Sequence, residues 1–257
     1  MNLYLRQICL VAEQLDPVTE AVEAILGAPV CHVDPAVAKF GLENALMAFG
    51  TQFLEIVAPT GPGTAAGRYL DRRGGNGGYM VITQALDKSG QETVRANAAD
   101  RDVRVSYDSD RGDWHFMQLH PGDMGAAFLE VDWNEYRDPT GFWHPAGGLD
   151  WQDHAGAAAV TAITAAELQS GDPVALAALW GGVAGQPVET RDGVPHVALA
   201  NADLRFVAAK DGRGAGLGAI DLRTPDPARV LAAAEARDAR LSDTQVTICG
   251  TRINLVP

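Results

Sequence analysis

The sequence FLEI at residues 53–56 returns as FLEV at residues 128–131. Each copy places a single glutamate, Glu55 or Glu130, inside an apolar run with the composition of a β-strand. Side chains alternate between the two faces of a strand, so each glutamate shares its face with its second neighbours in the chain. A carboxylate buried at such a position needs a cation, a hydrogen-bond network or a shifted pKa. The repeat therefore predicts a duplicated fold with an acidic side chain at the same place in both copies.

A second repeat marks the starts of helices. A short apolar run is followed by Asp and then by a helical pattern at Asp16, Asp87, Asp172 and Asp226, and three of these aspartates precede Pro. Asp accepts hydrogen bonds from the free N–H groups of the first helical turn, and Pro suits the first helical position. Two or three strand-like runs follow each helix. The pattern predicts an α+β protein of four tandem βαβββ units, of which the fourth is short.

The four units fall into two halves. Residues 1–132 are expected to form an N-terminal domain of two units, and residues 157–257 a C-terminal domain of two degenerate units. An aromatic linker, residues 133–156, separates them and contains Trp143 and Trp151. These tryptophans either pack between the halves or cover a pocket, and packing is the preferred interpretation because aromatic side chains bury large areas.

Composition limits the classes of partner. The chain has 257 residues, of which 47% are hydrophobic and 21% charged, as is typical of a globular protein. Its net charge of −13 argues against binding to nucleic acid or to an anionic membrane. The three cysteines are widely spaced in apolar runs, which favours buried thiols in a reducing compartment. We therefore expect a cytoplasmic protein with a small-molecule ligand and no membrane or nucleic-acid partner; a homodimer is compatible with the sequence.

The tandem units and the in-strand glutamates resemble the vicinal oxygen chelate superfamily, which includes glyoxalase I, extradiol dioxygenases and bleomycin-resistance proteins. The stretch FGLENALMAFGTQFLEIVAP at residues 40–59 is similar to a glyoxalase-like domain. In that superfamily two units pair into one concave sheet, and ligands from the first and last strands of each unit converge on a divalent metal. The resemblance implies two concave mixed sheets with the helices outside, and with Glu55 and Glu130 facing one cavity.

The resemblance also assigns ligands. Gln7 matches the first-strand glutamine of glyoxalase I, Glu55 its first glutamate and Glu130 its second. The histidine of that set has no match, because its place falls within residues 78–80. His115 and His120, just before the Glu130 strand, are candidate substitutes, and His120 is the one assigned to the metal. The metal implied is Mg, Mn, Ni, Zn or Fe, and the missing histidine leaves a metal-free site as the alternative.

The implied activity is that of a lyase or isomerase acting on a small carbonyl or oxygen-chelating substrate. Glu130 is the expected base, with Glu55 as the second catalytic carboxylate. The pocket is expected to be lined by Tyr79, Met80, His115 and Trp143. One alternative is a metal-free binding protein of the bleomycin-resistance type, and another is a purely structural role for the glutamates. Extradiol ring cleavage is disfavoured, because no set of two histidines and one carboxylate occupies matched positions.

The last two units differ from the first two at the glutamate position. ADLRFVAA aligns with QFLEIVAP so that Arg205 takes the place of the glutamate, and Asn254 takes it in the final strand-like run. These units are expected to keep the fold and to lose the acids. The C-terminal half is therefore interpreted as structural, or as a second pocket without a metal.

Overall fold

The computed structural model describes residues 2–144 and 146–257. Within them, the strands are β1 Leu3–Val11, β2 Val30–His32, β3 Leu42–Phe49, β4 Gln52–Pro59, β5 Gly77–Ala85, β6 Val105–Asp110, β7 Trp114–Leu119, β8 Phe128–Asn134, β9 Ala162–Ser170, β10 Val188–Arg191, β11 Val194–Ala198, β12 Asp203–Ala208, β13 Gly216–Arg223, β14 Gln245–Ile248 and β15 Thr251–Val256. The α-helices are α1 Leu15–Leu26, α2 Ala65–Arg73, α3 Lys88–Ala99, α4 Pro121–Met124, α5 Pro173–Ala184 and α6 Pro227–Glu235. Short 3₁₀ helices span Pro35–Phe40 and Trp151–Asp153.

The order of elements confirms the predicted α+β class. A strand, a helix and three further strands follow one another from β1 to β4, from β5 to β8 and from β9 to β12, with α2 and α4 as additional helices. The last stretch, from β13 to β15, has two strands after its helix in the part of the chain that the structure describes. Four complete units are therefore not confirmed.

Three of the four predicted aspartate caps are present. The side chains of Asp87, Asp172 and Asp226 each accept a hydrogen bond from a backbone N–H in the first turn of α3, α5 or α6. Asp16 is different, because α1 begins at Leu15, two residues before the predicted first helical residue Pro17, and Gln14 takes the capping position without a side-chain hydrogen bond. Asp16 thus lies inside the first turn, where its negative charge still interacts favourably with the helix dipole. No helix among the described residues is long and apolar enough to cross a membrane.

The chain divides into two compact units, each built from separate stretches of sequence. Unit 1 comprises Met1–Gln7, Tyr79–Phe142 and Ala165–Gly218. Unit 2 comprises Ile8–Gly78, Trp143–Thr164 and Ala219–Pro257. Each unit thus combines elements from both predicted halves, and the division at residues 132 and 157 does not coincide with it.

Unit 1 contains two arms of the same design. In the first arm β5 pairs in parallel with β8, and β8, β7 and β6 are antiparallel neighbours. In the second arm β9 pairs in parallel with β12, and β12, β11 and β10 are antiparallel neighbours. Helices α3 and α5 pack together, and the indole N–H of the fully buried Trp180 donates to the carbonyl oxygen of Met124 at 2.8 Å.

Unit 2 holds the strand that carries the first FLEI copy. Strands β4, β3 and β2 are antiparallel neighbours, β13 pairs in parallel with β15, and β15 pairs with β14. Trp143 stacks on Phe53 of β4 with the ring centroids 6.5 Å apart, and Trp151 meets the same ring edge-on at 5.2 Å. Both tryptophans are buried, so in unit 2 they pack as core residues against β4.

Candidate functional site

One register position recurs in the two arms of unit 1 and in strands β13, β15 and β14 of unit 2. It lies where the first, last and next-to-last strands of each group are side by side. At this position the side chains from the three strands share one face of the sheet, because residues directly opposite each other point the same way. Written in that strand order, the triplets are Ile82–Glu130–Gln118 and Glu167–Arg205–His196 in unit 1, and Asp221–Asn254–Gln245 in unit 2. Ile82, Glu167 and Asp221 are each the sixth residue of their strand, so Arg205 and Asn254 lie opposite the same position as Glu130, in agreement with the alignment made from sequence.

Glu130 is the acidic member of the first triplet, and it has a second carboxyl group beside it. The strand FLEVDWN places Asp132 two residues after Glu130, so both side chains point to the same face of β8. Glu130 is 8% exposed and Asp132 is 2% exposed. The side-chain amide of Gln118 donates to Oε2 of Glu130 at 2.7 Å. The two carboxyl groups thus form a nearly buried pair at one face of the sheet.

The carboxyl pair favours one shared proton. Burial is the largest cause that raises the pKa of Asp132 well above its usual value, and the charge of Glu130 and a hydrogen bond to it raise that pKa further. Arg6 and a hydrogen bond from Trp114 oppose this shift. The Oδ1 atom of Asp132 is buried without a hydrogen-bond partner among the described residues. An arrangement in which Asp132 keeps its proton and Glu130 is ionised fits these contacts, since a neutral carboxyl is less costly to bury.

A buried arginine lies next to the carboxyl pair. Arg6 is fully buried in β1, and its Nη1 atom donates to Oε1 of Gln84 at 2.5 Å. Gln84 is directly opposite Asp132 in the parallel β5–β8 pair. Arg6 also donates to the carbonyl oxygens of Asp138 at 3.4 Å and Gly141 at 3.1 Å. Burial lowers the pKa of Arg6 to about 10, against the raising effect of Asp138 and Asp132, so the guanidinium stays charged at neutral pH.

Apolar and aromatic side chains border the pair on the same face. Phe116 lies opposite Asp132, and Tyr107 lies opposite Gln118, with the Tyr107 and Phe116 ring centroids 5.5 Å apart. Phe128 precedes Glu130 by two residues and lies opposite Met80. Tyr107, Gln118 and Phe128 are half-buried, so this face is accessible beside a nearly buried acid. Such a combination suits a small planar ligand with a polar group.

Of the predicted pocket residues, Met80 is on the face of Glu130 by register. Tyr79, its neighbour in β5, has the opposite strand parity, and its ring meets that of Phe128 edge-on with the centroids 5.1 Å apart. His115 is directly opposite Trp133, on the other face of the sheet, and its ring stacks on that indole at 4.0 Å. His115 therefore does not share the face that carries Glu130.

The other predicted residues lie elsewhere. His120 precedes α4, where Asp123 Oδ1 and Arg104 Nη2 lie 3.4 and 3.3 Å from its Nδ1 atom. Gln7 is buried at the end of the β1 segment in unit 1. Glu55 and Trp143 belong to unit 2.

Glu55 has its own hydrogen-bond network within unit 2. It is 7% exposed, and Nδ2 of Asn44 donates to its Oε1 atom at 2.6 Å. The Oδ1 atom of Asn44 accepts from the backbone N–H of Asp34 at 3.0 Å, which fixes the orientation of the amide. Glu55 is thus a hydrogen-bonded buried carboxyl group, one of the alternatives that the sequence left open.

The residues that sequence reasoning missed are Asp132, Arg6, Gln84 and Gln118. Asp132 was within reach of the strand-parity argument, because it directly follows the quoted repeat and lies two positions after Glu130. Arg6 directly precedes Gln7, the residue expected at the first-strand ligand position, so the sequence prediction missed Arg6 by one residue. Gln84 and Gln118 had no local signal, since their positions opposite Asp132 and Glu130 depend on strand register.

The predicted ligand set does not fit a divalent metal. No group of three or more His, Cys, Asp or Glu side chains among residues 2–144 and 146–257 is arranged to hold a metal ion. His120 is engaged with Asp123 and Arg104, and the carboxyl pair at Glu130 already has a guanidinium cation beside it. A hard divalent ion prefers several oxygen ligands that converge on it, and a neighbouring fixed cation opposes its binding.

Comparison with known protein families identifies the family of this chain. A family model described as a glyoxalase-like domain matches residues 8–184, more than half of the chain. The chain belongs to the glyoxalase-like domain family. The match confirms the resemblance to the vicinal oxygen chelate superfamily. Among curated proteins, no significant match is found for this glyoxalase-like chain.

Solved structures share the fold. A triple mutant of 4-hydroxymandelate synthase from Streptomyces coelicolor superposes with a TM-score of 0.69 at 12% identity, over 93% of this chain and 76% of that one. A hypothetical protein from Staphylococcus aureus gives 0.65 at 14% identity over 100% of both chains. A methylmalonyl-CoA epimerase variant from Streptomyces coelicolor gives 0.46 at 21% identity, over 54% of this glyoxalase-like chain and 99% of the epimerase. The first two similarities support the fold and carry no information about the substrate.

Proposed function

We propose that this protein is a lyase or isomerase that moves a proton on a small carbonyl compound, with Glu130 as the base and Asp132 as its partner. The observation that carries the proposal is the nearly buried carboxyl pair on an accessible, aromatic-lined face of β8. Titratable groups with strongly perturbed pKa values in such surroundings are candidates for acid–base chemistry. The family membership makes a small-molecule ligand the natural partner.

The chemistry follows from the contacts of the pair. The ionised Glu130 removes a proton from a carbon next to a carbonyl group, and the electron pair of the broken C–H bond moves toward the carbonyl oxygen. Glu130, now protonated, returns the proton to the same carbon or to its neighbour, so no other reactant is consumed. Gln118 orients Glu130 through its 2.7 Å hydrogen bond, and the proton on Asp132 limits charge repulsion in the pair. General base catalysis of this kind typically contributes a rate factor of about 10²–10⁴.

Deuterium exchange tests this activity without knowledge of the natural substrate. The protein is incubated in D₂O, in the presence of EDTA, with a panel of hydroxyketones, 2-oxoacids and acyl thioesters, and NMR follows loss of the C–H signal next to the carbonyl. We expect exchange with at least one compound class, and a loss of about 10²-fold or more in Glu130→Gln. Glu55→Gln is the matched control in unit 2 and should have a much smaller effect. Equal rates in wild type and Glu130→Gln would contradict the proposal.

A binding protein without catalysis is the second candidate. The aromatic side chains Tyr107, Phe116 and Phe128 around the pair favour it, because they form a wall for a planar ligand. In that case planar compounds should change the tryptophan fluorescence of the wild type, Phe128→Ala should weaken their binding, and no compound in the panel should exchange deuterium.

A further inference from the structure

We infer that Arg6 is the resident cation of the Glu130–Asp132 site and takes the place of a divalent metal, an inference that rests on the proposed function of this pair. The chemical consequence is a site for a carbonyl compound that does not have to chelate a metal through two neighbouring oxygens.

The position of Arg6 is fixed from two sides. On one side its guanidinium donates to Gln84, the direct neighbour of Asp132 across the β5–β8 pair, where adjacent strands lie about 4.8 Å apart. On the other side it donates to the carbonyl oxygens of Asp138 and Gly141 in the segment after β8. Displacement of the guanidinium would leave these acceptors without their donor in a buried region, which is costly. Arg6 is therefore a fixed part of the site.

The charges around the pair are compensated without an added ion. With one proton shared, the Glu130–Asp132 pair carries one negative charge, and the guanidinium of Arg6, which is favoured by negative charge on Asp138 and at the Asp132 position, carries one positive charge. A divalent ion bound to Glu130 and Asp132 would place two further positive charges beside the buried guanidinium of Arg6. Water screens the repulsion between these charges only weakly in a buried region. The described residues also provide no third acidic, histidine or cysteine ligand near the pair. Arg6 thus performs the charge compensation that the superfamily resemblance assigns to a metal.

The ligand that fits such a site does not need to chelate a metal ion. The side-chain amide of Gln118 donates to Glu130, and the buried guanidinium of Arg6 donates to Gln84 and to the carbonyl oxygens of Asp138 and Gly141, so these donors hold the site in place. A substrate with one carbonyl oxygen beside the reacting carbon is sufficient. The half-buried rings of Tyr107 and Phe128 favour a flat molecule.

Manganese binding to the full chain tests this inference without an activity assay. Water-proton relaxation and calorimetry are measured with Mn²⁺ for the wild type, Arg6→Gln, Arg6→Lys and Arg95→Gln. We expect no saturable binding tighter than about 1 mM in the wild type, and at least about tenfold tighter binding in Arg6→Gln, where the acidic pair no longer has a fixed cation beside it. Arg95→Gln is the matched control, because it removes an arginine from a surface pair with Asp108 and should leave Mn²⁺ binding as in the wild type.

Two results would overturn the inference. One is saturable Mn²⁺ binding by the wild type that Glu130→Gln or Asp132→Asn removes. The other is a folded Arg6→Gln variant that gains no binding. Should Arg6→Gln fail to fold, as circular dichroism would reveal, the wild type and the charge-conserving Arg6→Lys decide the matter, since both should remain unable to bind Mn²⁺. Absence of deuterium exchange in the wild type, together with the expected Mn²⁺ results, would instead contradict the proposed function alone.

Discussion

At the residue scale, Asp132 and Asp123 are two aspartates with pKa shifts of opposite sign. Burial and the neighbouring Glu130 raise the pKa of Asp132, so the folded state binds more protons than the unfolded state above the usual aspartate pKa of about 3.9. Stability that is present below this value is then lost as the pH rises toward the folded pKa. Asp132→Asn should therefore increase the free energy of unfolding more at pH 8 than at pH 5, as measured by urea denaturation at both values.

Asp123 provides the matched comparison. Hydrogen bonds from Arg104 hold its pKa well below the usual range, so its contribution to stability is present above the unfolded pKa and is lost as the pH falls. Asp123→Asn should decrease the free energy of unfolding at neutral pH, and its difference from the wild type should shrink in strongly acidic buffer. The same direction of effect for both substitutions at pH 8 would show that Asp132 is an ionised structural partner.

At the scale of elements, two adjacent glycines of α5 should respond differently to alanine. A Cβ atom on Gly181 would lie 2.9 Å from Cγ2 of Val188 and 3.0 Å from the backbone oxygen of Gln186. A Cβ atom on Gly182 would meet the end of the flexible Arg101 side chain, which can move aside at the cost of its hydrogen bond to the carbonyl oxygen of Asn97. Gly181→Ala should destabilise the protein by about 1–3 kcal/mol through overpacking. Gly182→Ala should be neutral or stabilising by up to about 1 kcal/mol, because Ala favours the helix.

Thermal or urea unfolding of both variants checks this difference. Equal effects of the two substitutions would mean that the backbone around Gln186 adjusts to the added methyl group. The close packing of α5 on β10 would then not contribute to the free energy of unfolding.

Strand β9 begins at a clamp formed by a glutamine side chain. Within unit 2, Gln52 donates to the carbonyl oxygen of Ile163 at 2.8 Å and accepts from its N–H at 2.7 Å, as a neighbouring strand would. Gln52→Leu removes both partners from buried backbone groups and should cost roughly 2–4 kcal/mol in the free energy of unfolding. Gln152→Leu at an exposed position should change it by less than about 0.5 kcal/mol. If Gln52→Leu lowers the free energy of unfolding by no more than Gln152→Leu does, the two hydrogen bonds of Gln52 do not stabilise the start of β9.

Features that depend on neighbouring residues were predictable from the sequence, whereas contacts set by strand register were not. Helix starts were predictable, because the capping of Asp87, Asp172 and Asp226 depends on residues within one turn. The place of Arg205 and Asn254 at the Glu130 position was predictable for the same reason, since the alternation of each strand is local. The partnership of Arg6 with Gln84 was not predictable, because it joins residues 78 positions apart through strand register.

At the scale of the whole molecule, the two compact units do not follow the order of the chain. Unit 1 requires α3 from one predicted half and α5 from the other, and the indole of Trp180 on α5 has its acceptor on Met124. A fragment of residues 1–132 would expose the surface of α3 that α5 covers. It should therefore give a poorly dispersed amide NMR spectrum, and mixing it with residues 157–257 should improve the dispersion. A well-dispersed spectrum of the fragment alone would support the domain boundaries predicted from sequence.

We expect the Glu130–Asp132 pair to hold one proton at neutral pH, which prepares it for proton transfer. Infrared difference spectroscopy measures this directly, because a protonated carboxyl group and a carboxylate absorb at different frequencies. In the difference between the wild type and Asp132→Asn at pH 7, we expect a band of a protonated carboxyl group that belongs to the wild type. A difference spectrum that contains carboxylate bands alone would mean that both acids are ionised, and would contradict the shared proton.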